Sequence, residues 1–353
     1  MPRISILITT YNRSALLRRA MHSVLTQDFR DFEIVVIDDC STDDTANVVS
    51  SFNDERIRYI RNSENVGSIA GDRAILREFV YSIMRGRYFV YLCDDDYWCD
   101  TTLLRRQVEA FEKYPDVSFV MGNQLSQVLE NGEGSVALSP EDVEQRAKNQ
   151  IGYTPRLFPK EFMTSSEFLA LSATHPTGTN IITGATLYLR DIFIHSGALA
   201  TKIGSQWQAG YEIKIGPACY GNIVYFDEPA VVTEIRPSNA SFRRTQLEHY
   251  RDAVFSIELS FSKPLSDHNL KHRMAELKAR KRETIRHLSR TFLNNSYVIY
   301  QGKPLTLCGA ENLAVPVRTT HVANTFLKHG IVPMPRDFAS CARVEALALL
   351  RRN

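Results

Sequence analysis

The segment Tyr91-Leu92-Cys93-Asp94-Asp95-Asp96-Tyr97-Trp98 carries the most chemistry in this chain. An apolar run from Tyr88 to Leu92 ends abruptly in three consecutive aspartates. Carboxylates crowded at the end of a buried strand repel one another unless a cation sits among them. A hard divalent ion suits that place, because Mg²⁺ takes one or two carboxylates and fills its other positions with water and substrate phosphates. The pattern points to a chain that handles a diphosphate-containing substrate. Two more polar clusters, Thr9-Thr10-Tyr11-Asn12-Arg13 and Asp38-Asp39-Cys40-Ser41-Thr42-Asp43-Asp44, also follow apolar runs.

Those runs define the elements that must position the clusters. Ile4 to Ile8 reads as a first strand, Phe32 to Ile37 as a second, Ile57 to Ile60 as a third and Tyr88 to Leu92 as a fourth. The second is continuously apolar, as in a parallel sheet covered on both faces. Between the strands, Leu16, Leu17, Ala20, Met21, Val24 and Leu25 recur at helical spacing. Asn12 or Ser14 is placed to cap that helix. Ser41-Thr42-Asp43-Asp44 is placed to start a second helix, and Ile69 to Met84 a third. Alternating strands and helices predict a parallel α/β sheet, which binds ligands at the carboxyl ends of its strands. The three polar clusters fall there and should converge.

The middle of the chain is less regular. Residues 126–165 hold a stretch rich in Gly, Glu and Ser and read as a loop or lid with some helix near 140–150. Strand-like order returns at Ile181 to Leu189 and at Ile223 to Ile235. From Ser241 onward the pattern is helical, and residues 271–290 hold eight Lys/Arg against two acids. Net charge is only +2 for 353 residues, so no global field argues for nucleic acid. No apolar run approaches the ~20 residues of a membrane helix. The N-terminus lacks a leader pattern. Six scattered cysteines with no CxxC pair suggest a reducing, cytoplasmic setting.

Four segments in order give a specific resemblance: Ile4 to Arg13, Phe32 to Asp43, Asn65-Val66-Gly67, and Leu92 to Trp98. Together they resemble the motifs of family 2 inverting glycosyltransferases, and Val224-Tyr225-Phe226-Asp227-Glu228-Pro229-Ala230 resembles that family's late strand. The resemblance implies an α/β fold of GT-A type, a nucleotide-binding sheet flanked by helices. It covers residues 1–240, with a nucleotide-binding half at 1–120 and an acceptor half at 121–240. A helical, basic region at 241–353 follows. It implies that Thr9 and Tyr11 hold the nucleotide, with Tyr11 stacked on the base, and that Asp39 accepts from a base N–H. Arg73 would approach the diphosphate. Asp95 would bind Mn²⁺ or Mg²⁺, and Asp94 the ribose or metal-bound water. The partners implied are a nucleotide-sugar donor, UDP or dTDP being favoured, and a glycan or lipid-linked acceptor hydroxyl. The setting implied is bacterial surface polysaccharide or glycan synthesis. The basic tail adds three readings: a solvated face, a contact with an anionic membrane surface, or an oligomer surface.

The chain departs from the family at two places. Cys93 stands where the acidic motif commonly begins. In Trp207-Gln208-Ala209-Gly210-Tyr211-Glu212-Ile213, Ala209-Gly210 stands where a Glu-Asp pair with the catalytic base is expected. Glu212 is the nearest carboxylate and the candidate base, with Asp191 and Glu234 as alternatives. A non-catalytic nucleotide-sugar-binding protein is one rival reading. A nucleotidyltransferase is another, disfavoured because Thr-Thr-Tyr-Asn-Arg is not a Gly-rich phosphate loop. No GxGxxG follows the first strand, which disfavours a dinucleotide oxidoreductase.

Overall fold

The structure, a computed structural model, describes residues 1–65, 82–128, 158–174, 183–198, 209–235, 246–293, 299–300, 303–304, 322, 324–329 and 331. The apolar runs form four parallel strands: β1 (Ile4–Thr10), β2 (Phe32–Asp38), β3 (Ile57–Arg61) and β4 (Tyr88–Cys93). Their order is β3-β2-β1-β4, and β1 pairs in parallel with both β2 and β4. All seven residues of β2 are buried. Helix α1 (Ser14–Leu25) buries Leu17, Ala20, Met21 and Val24, the stripe expected from its spacing.

The second half continues the same sheet. β8 (Thr186–Leu189) runs antiparallel between β4 and β6 (Val117–Val128), and β6 pairs in parallel with β9 (Asn222–Ile235). β5 (Asp96–Trp98) and β7 (Phe162–Met163) both pair antiparallel with β9. Nine strands thus form one sheet among the described residues. Helices α2 (Thr45–Ser51), α3 (Leu103–Lys113), α4 (Ser165–Thr174), α5 (Arg190–His195) and α6 (Ala209–Ala218) complete this part.

The chain then forms a helical pair, α7 (Gln246–Ser266) and α8 (Met274–Leu293), joined by a 3₁₀ turn at His268–Arg273. The pair is anchored by polar contacts at one end. Asp267 pairs with His195 (2.7 Å) and accepts from Tyr220 Oη (3.0 Å), while Arg273 donates to the Cys219 carbonyl (2.9 Å). Ile257, Phe261, Leu277 and Ile285 join the same apolar cluster as the sheet. No helix among the described residues is long and apolar enough to cross a membrane.

Several expectations need correction. The acids at 43–44 precede α2, which starts at Thr45; Asp43 accepts from Thr45 N at 3.1 Å rather than lying in the first turn. Neither Asn12 nor Ser14 caps α1. Ser14 is its first residue, and its N–H donates to Asp43 of the neighbouring loop at 3.0 Å. Residues 126–128 continue β6 instead of opening a loop. Strand β8 begins at Thr186, after a 3₁₀ turn at Thr183–Ala185, not at Ile181. The expected helix from Ile69 falls mostly outside the described residues, as does the segment 140–150.

A buried carboxylate fixes the far edge of this sheet. Glu33 accepts from Ser5 Oγ (2.6 Å), Arg58 (2.8 Å) and Arg85 N (2.9 Å), and Ser5 Oγ accepts from Gly86 N (2.8 Å). Burial pushes the Glu33 pKa up, but the donors from Ser5, Arg58 and Arg85 outweigh it and hold the carboxyl below the usual range. Such a group stabilises the fold above its ordinary pKa, and that stability is lost as pH falls through the lower folded value. Glu33→Ala is expected to cost about 1–3 kcal/mol in urea unfolding at pH 7. The difference from wild type should shrink as pH falls below the normal glutamate range.

Candidate active site

The parallel registers bring three strand ends to one edge. Thr10 lies opposite Asp38, and Thr9 opposite Cys93. The loops that follow carry Tyr11, Asp39 and Asp94. Of the sequence-predicted site residues, Thr9, Tyr11, Asp39, Asp94 and Asp95 are brought together here. Arg73 lies outside the described residues. Glu212 belongs to α6, and its side chain lies outside them also. That helix ends four residues before β9 starts at the opposite edge. Asp191 is placed away from the site. β8 runs antiparallel to β4, so α5 begins at the opposite edge, where Arg190 N donates to the Arg87 carbonyl (3.0 Å).

Two loops are zipped together where β1 and β2 end. Asn12 sits in the left-handed region (φ 51°), as does Cys40 (φ 65°). Asn12 N donates to Ser41 Oγ (2.9 Å), and Asn12 Oδ1 accepts from Thr42 N (2.7 Å). Asparagine tolerates this backbone better than most residues. The loop leaves Tyr11 45% exposed, an unusual position for a large aromatic residue. Thr9 Oγ1 bonds Tyr91 Oη at 2.8 Å.

Asp38 and Asp39 divide their work. Asp38 is fully buried and structural: it accepts from Ser41 N (2.9 Å) and from Tyr59 Oη, with Arg61 beside it at 3.5 Å. Asp39 Oδ1 accepts from Asn62 Nδ2 (2.8 Å), which orients the carboxylate, and such a group has capacity for further donors.

The acidic cluster forms a corner. β4 ends at Cys93, β5 starts at Asp96, and Asp94-Asp95 make the turn between them. Arg13 spans the turn, with Nη1 at 2.9 Å from Asp94 Oδ1 and 3.2 Å from Asp95 Oδ2. Burial raises the Asp94 pKa to about 6; Arg13 opposes this rise and Asp95 adds to it. Burial, then Asp95, holds Asp96 well above the carboxylate range. Burial, then Asp96, keeps the Cys93 thiol up as well. Cys93, Asp95 and Asp96 offer ligand atoms all within 4.8 Å of one another. A donor set of carboxylate oxygens with one protonated thiol suits Mg²⁺ or Mn²⁺ through its oxygens.

The corner is braced from behind. Arg19 donates to the Asp95 carbonyl (3.2 Å) and lies over the Tyr97 ring at 4.4 Å. Trp98 is buried, and its Nε1 donates to the Gly184 carbonyl at 2.5 Å. A Cβ at Gly184 would meet Leu92 at 3.0 Å and Val231 at 3.3 Å, so the small residue lets this segment approach the end of β4. Arg13, Asn62 and Tyr91 were given no role from the sequence. Arg13 could have been, because it ends the same polar turn that carries Tyr11.

Residues 5–195, more than half of the chain, match the family model described as glycosyl transferase family 2. The chain belongs to that family. It is 34% identical over 112 residues to the Escherichia coli UDP-Glc:alpha-D-GlcNAc-diphosphoundecaprenol beta-1,3-glucosyltransferase WfaP, covering 32% of this chain and 42% of that protein. It is 35% identical over 127 residues to the Campylobacter jejuni GalNAc(5)-diNAcBac-PP-undecaprenol beta-1,3-glucosyltransferase, covering 35% of this chain and 39% of that protein. The chain thus spans less than half the length of these relatives. Among solved structures it resembles Staphylococcus aureus TarS 1-349 in complex with UDP-GlcNAc. The TM-score is 0.61 at 16% identity, over 96% of this chain and 84% of that one, which is a likeness of fold. The fold is of GT-A type with a helical C-terminal region.

The zipped loops make a test of positioning. Asn12→Ala removes the bond to Thr42 N and leaves alanine, which tolerates the left-handed backbone less well than asparagine. It should cost about 1–2 kcal/mol in thermal or urea unfolding. Asn12→Gly, which keeps the backbone freedom, should recover part of that loss.

Proposed function

We propose that the chain is a metal-dependent inverting glycosyltransferase. It moves a sugar from a nucleoside-diphosphate sugar, UDP or dTDP, to an acceptor hydroxyl in the assembly of a bacterial surface polysaccharide or glycan. The observation that carries this reading is the convergence of Tyr11, Asp39 and the Asp94-Asp95 corner on one edge of the sheet. The two relatives named above, glucosyltransferases with undecaprenol-linked acceptors, support a lipid-linked acceptor here.

In this reading the Tyr11 ring lies against the base, and Asp39, oriented by Asn62, accepts from a base N–H. Thr9 contributes at the strand end, and Arg73 approaches the diphosphate. Asp95 holds the Mn²⁺ or Mg²⁺, with Asp96 beside it, and Asp94 takes the ribose or metal-bound water. The ion, when bound, neutralises charge developing on the departing diphosphate. Glu212 accepts the proton of the acceptor hydroxyl as that oxygen forms its bond to the anomeric carbon. The bond to the diphosphate oxygen breaks on the opposite face, which inverts the centre.

We place the division between halves at residue 120 and the end of the catalytic part at 240, with 241–353 as a helical extension. The setting proposed is the cytoplasm, at the inner face of a membrane. Lys271, Lys278 and Arg282 are exposed along the 3₁₀ turn and α8. Glu276 and Glu283, the acids of α8, already pair with Arg273 and Arg280. Such a face is attracted to anionic lipid.

Calorimetric titration of UDP, dTDP, GDP and CDP, with and without Mn²⁺, tests the donor site. One of the first two is expected to bind in a metal-dependent way, and Asp95→Asn should weaken that binding by about tenfold or more. Absence of binding by every nucleotide with metal present would remove the reading. A Glu212→Gln variant that binds nucleotide normally yet transfers no sugar is expected. Unchanged transfer by that variant would assign the base elsewhere.

A further inference from the structure

Arg13 touches both carboxylates of the acidic turn, and the proposed reading gives it no role. Its guanidinium sits 2.9 Å from Asp94 and 3.2 Å from Asp95, and its side chain is 45% exposed against 7% and 20% for its partners. It therefore covers the corner from the solvent side. Arg19 approaches the same turn but serves differently: its guanidinium contacts the Asp95 backbone carbonyl and the Tyr97 ring.

The geometry sets up a competition. A divalent ion on Asp95 needs the oxygen that now faces Arg13, and two cations cannot share it at these distances without strong repulsion. Breaking two ion pairs to admit the metal costs free energy unless the guanidinium finds another anion. A diphosphate bound between Asp39 and Asp95 would supply one, since Arg13 follows Tyr11 by two residues and caps the same loop. Guanidinium and phosphate oxygens make a favourable fork geometry.

We infer that Arg13 is a built-in counter-ion that couples the two ligands: it neutralises Asp94 and Asp95 until a divalent ion takes them, and then moves to the donor's diphosphate. The inference rests on the metal-and-diphosphate reading proposed above. Its consequence is that metal binds weakly by itself and nucleotide strengthens it. By reciprocity, the metal strengthens the nucleotide by the same factor.

Electron spin resonance of free Mn²⁺ measures metal binding without any sugar transfer. Mn²⁺ is titrated into wild type, Arg13→Gln, Arg13→Lys and Asp95→Asn, each with and without saturating UDP, with protein-free UDP titrations subtracted. Arg13→Gln is expected to bind Mn²⁺ alone about three- to tenfold more tightly than wild type, because the competing charge is gone. The strengthening by UDP should fall by a similar factor. Arg13→Lys, which keeps the charge but not the fork, should lie between the two. Equal or weaker Mn²⁺ binding by Arg13→Gln, with wild type binding and Asp95→Asn not binding, would overturn the role of Arg13 and leave the metal site standing. No Mn²⁺ binding by wild type or Arg13→Gln, with or without UDP, would overturn the metal site itself and the inference with it. Melting curves for all four proteins separate these outcomes from loss of fold.

Discussion

Mutual repulsion among carboxylates at the end of β4 is the constraint on which the site depends. Asp94, Asp95 and Asp96 follow one another at a corner that burial makes costly for charge. Left alone, such a cluster would take up protons. Arg13 lowers that cost from the front, and Arg19 fixes the turn from behind. The rest of the sheet places other groups around this charge imbalance. β1 brings Tyr11 and β2 brings Asp39 to the same level because the strands are parallel and in register.

The scaffold uses buried acids of a different kind. Glu33 and Asp38 stand near the two ends of β2, one at each edge of the sheet, and each is surrounded by donors. Glu33 ties β1, β3 and the approach to β4 together on the side away from the site. Asp38 shapes the loop that presents Asp39. Neighbouring aspartates in one motif thus make different contacts: the first accepts from Ser41 and Tyr59, and the second accepts from Asn62. Adjacent residues differ in this way because side chains alternate across a strand end.

Most of the first half was legible in the sequence because its strands are continuous apolar runs and its polar loops all follow them. Strand existence and parallel order came from that pattern, and the convergence of Tyr11, Asp39 and Asp95 followed from it. Helix starts were read less well. The sequence suggested that Asn12 or Ser14 caps its own helix, but Asn12 bonds across to Thr42, and Asp43 reaches back to Ser14. Those are contacts between loops some 30 residues apart, which no local pattern encodes. The contacts of Arg13 were hidden for the same reason: its partners lie 81 and 82 residues away. Asp191 looked like a candidate base only while the direction of β8 was unknown. The base position is the least legible part, since Ala209-Gly210 replaces the expected pair and Glu212 is chosen by nearness alone.

The tie between Trp98 and Gly184 gives the molecule an optical property. The chain has two tryptophans, and Trp98 lies two residues beyond Asp96, buried with its indole N–H held by a carbonyl. An indole in that position senses the local field of the carboxylate corner. When charge arrives at or leaves the corner, emission from this residue should change colour or intensity. The protein thus carries its own fluorophore beside the carboxylate corner, and changes in charge there can be followed without a label.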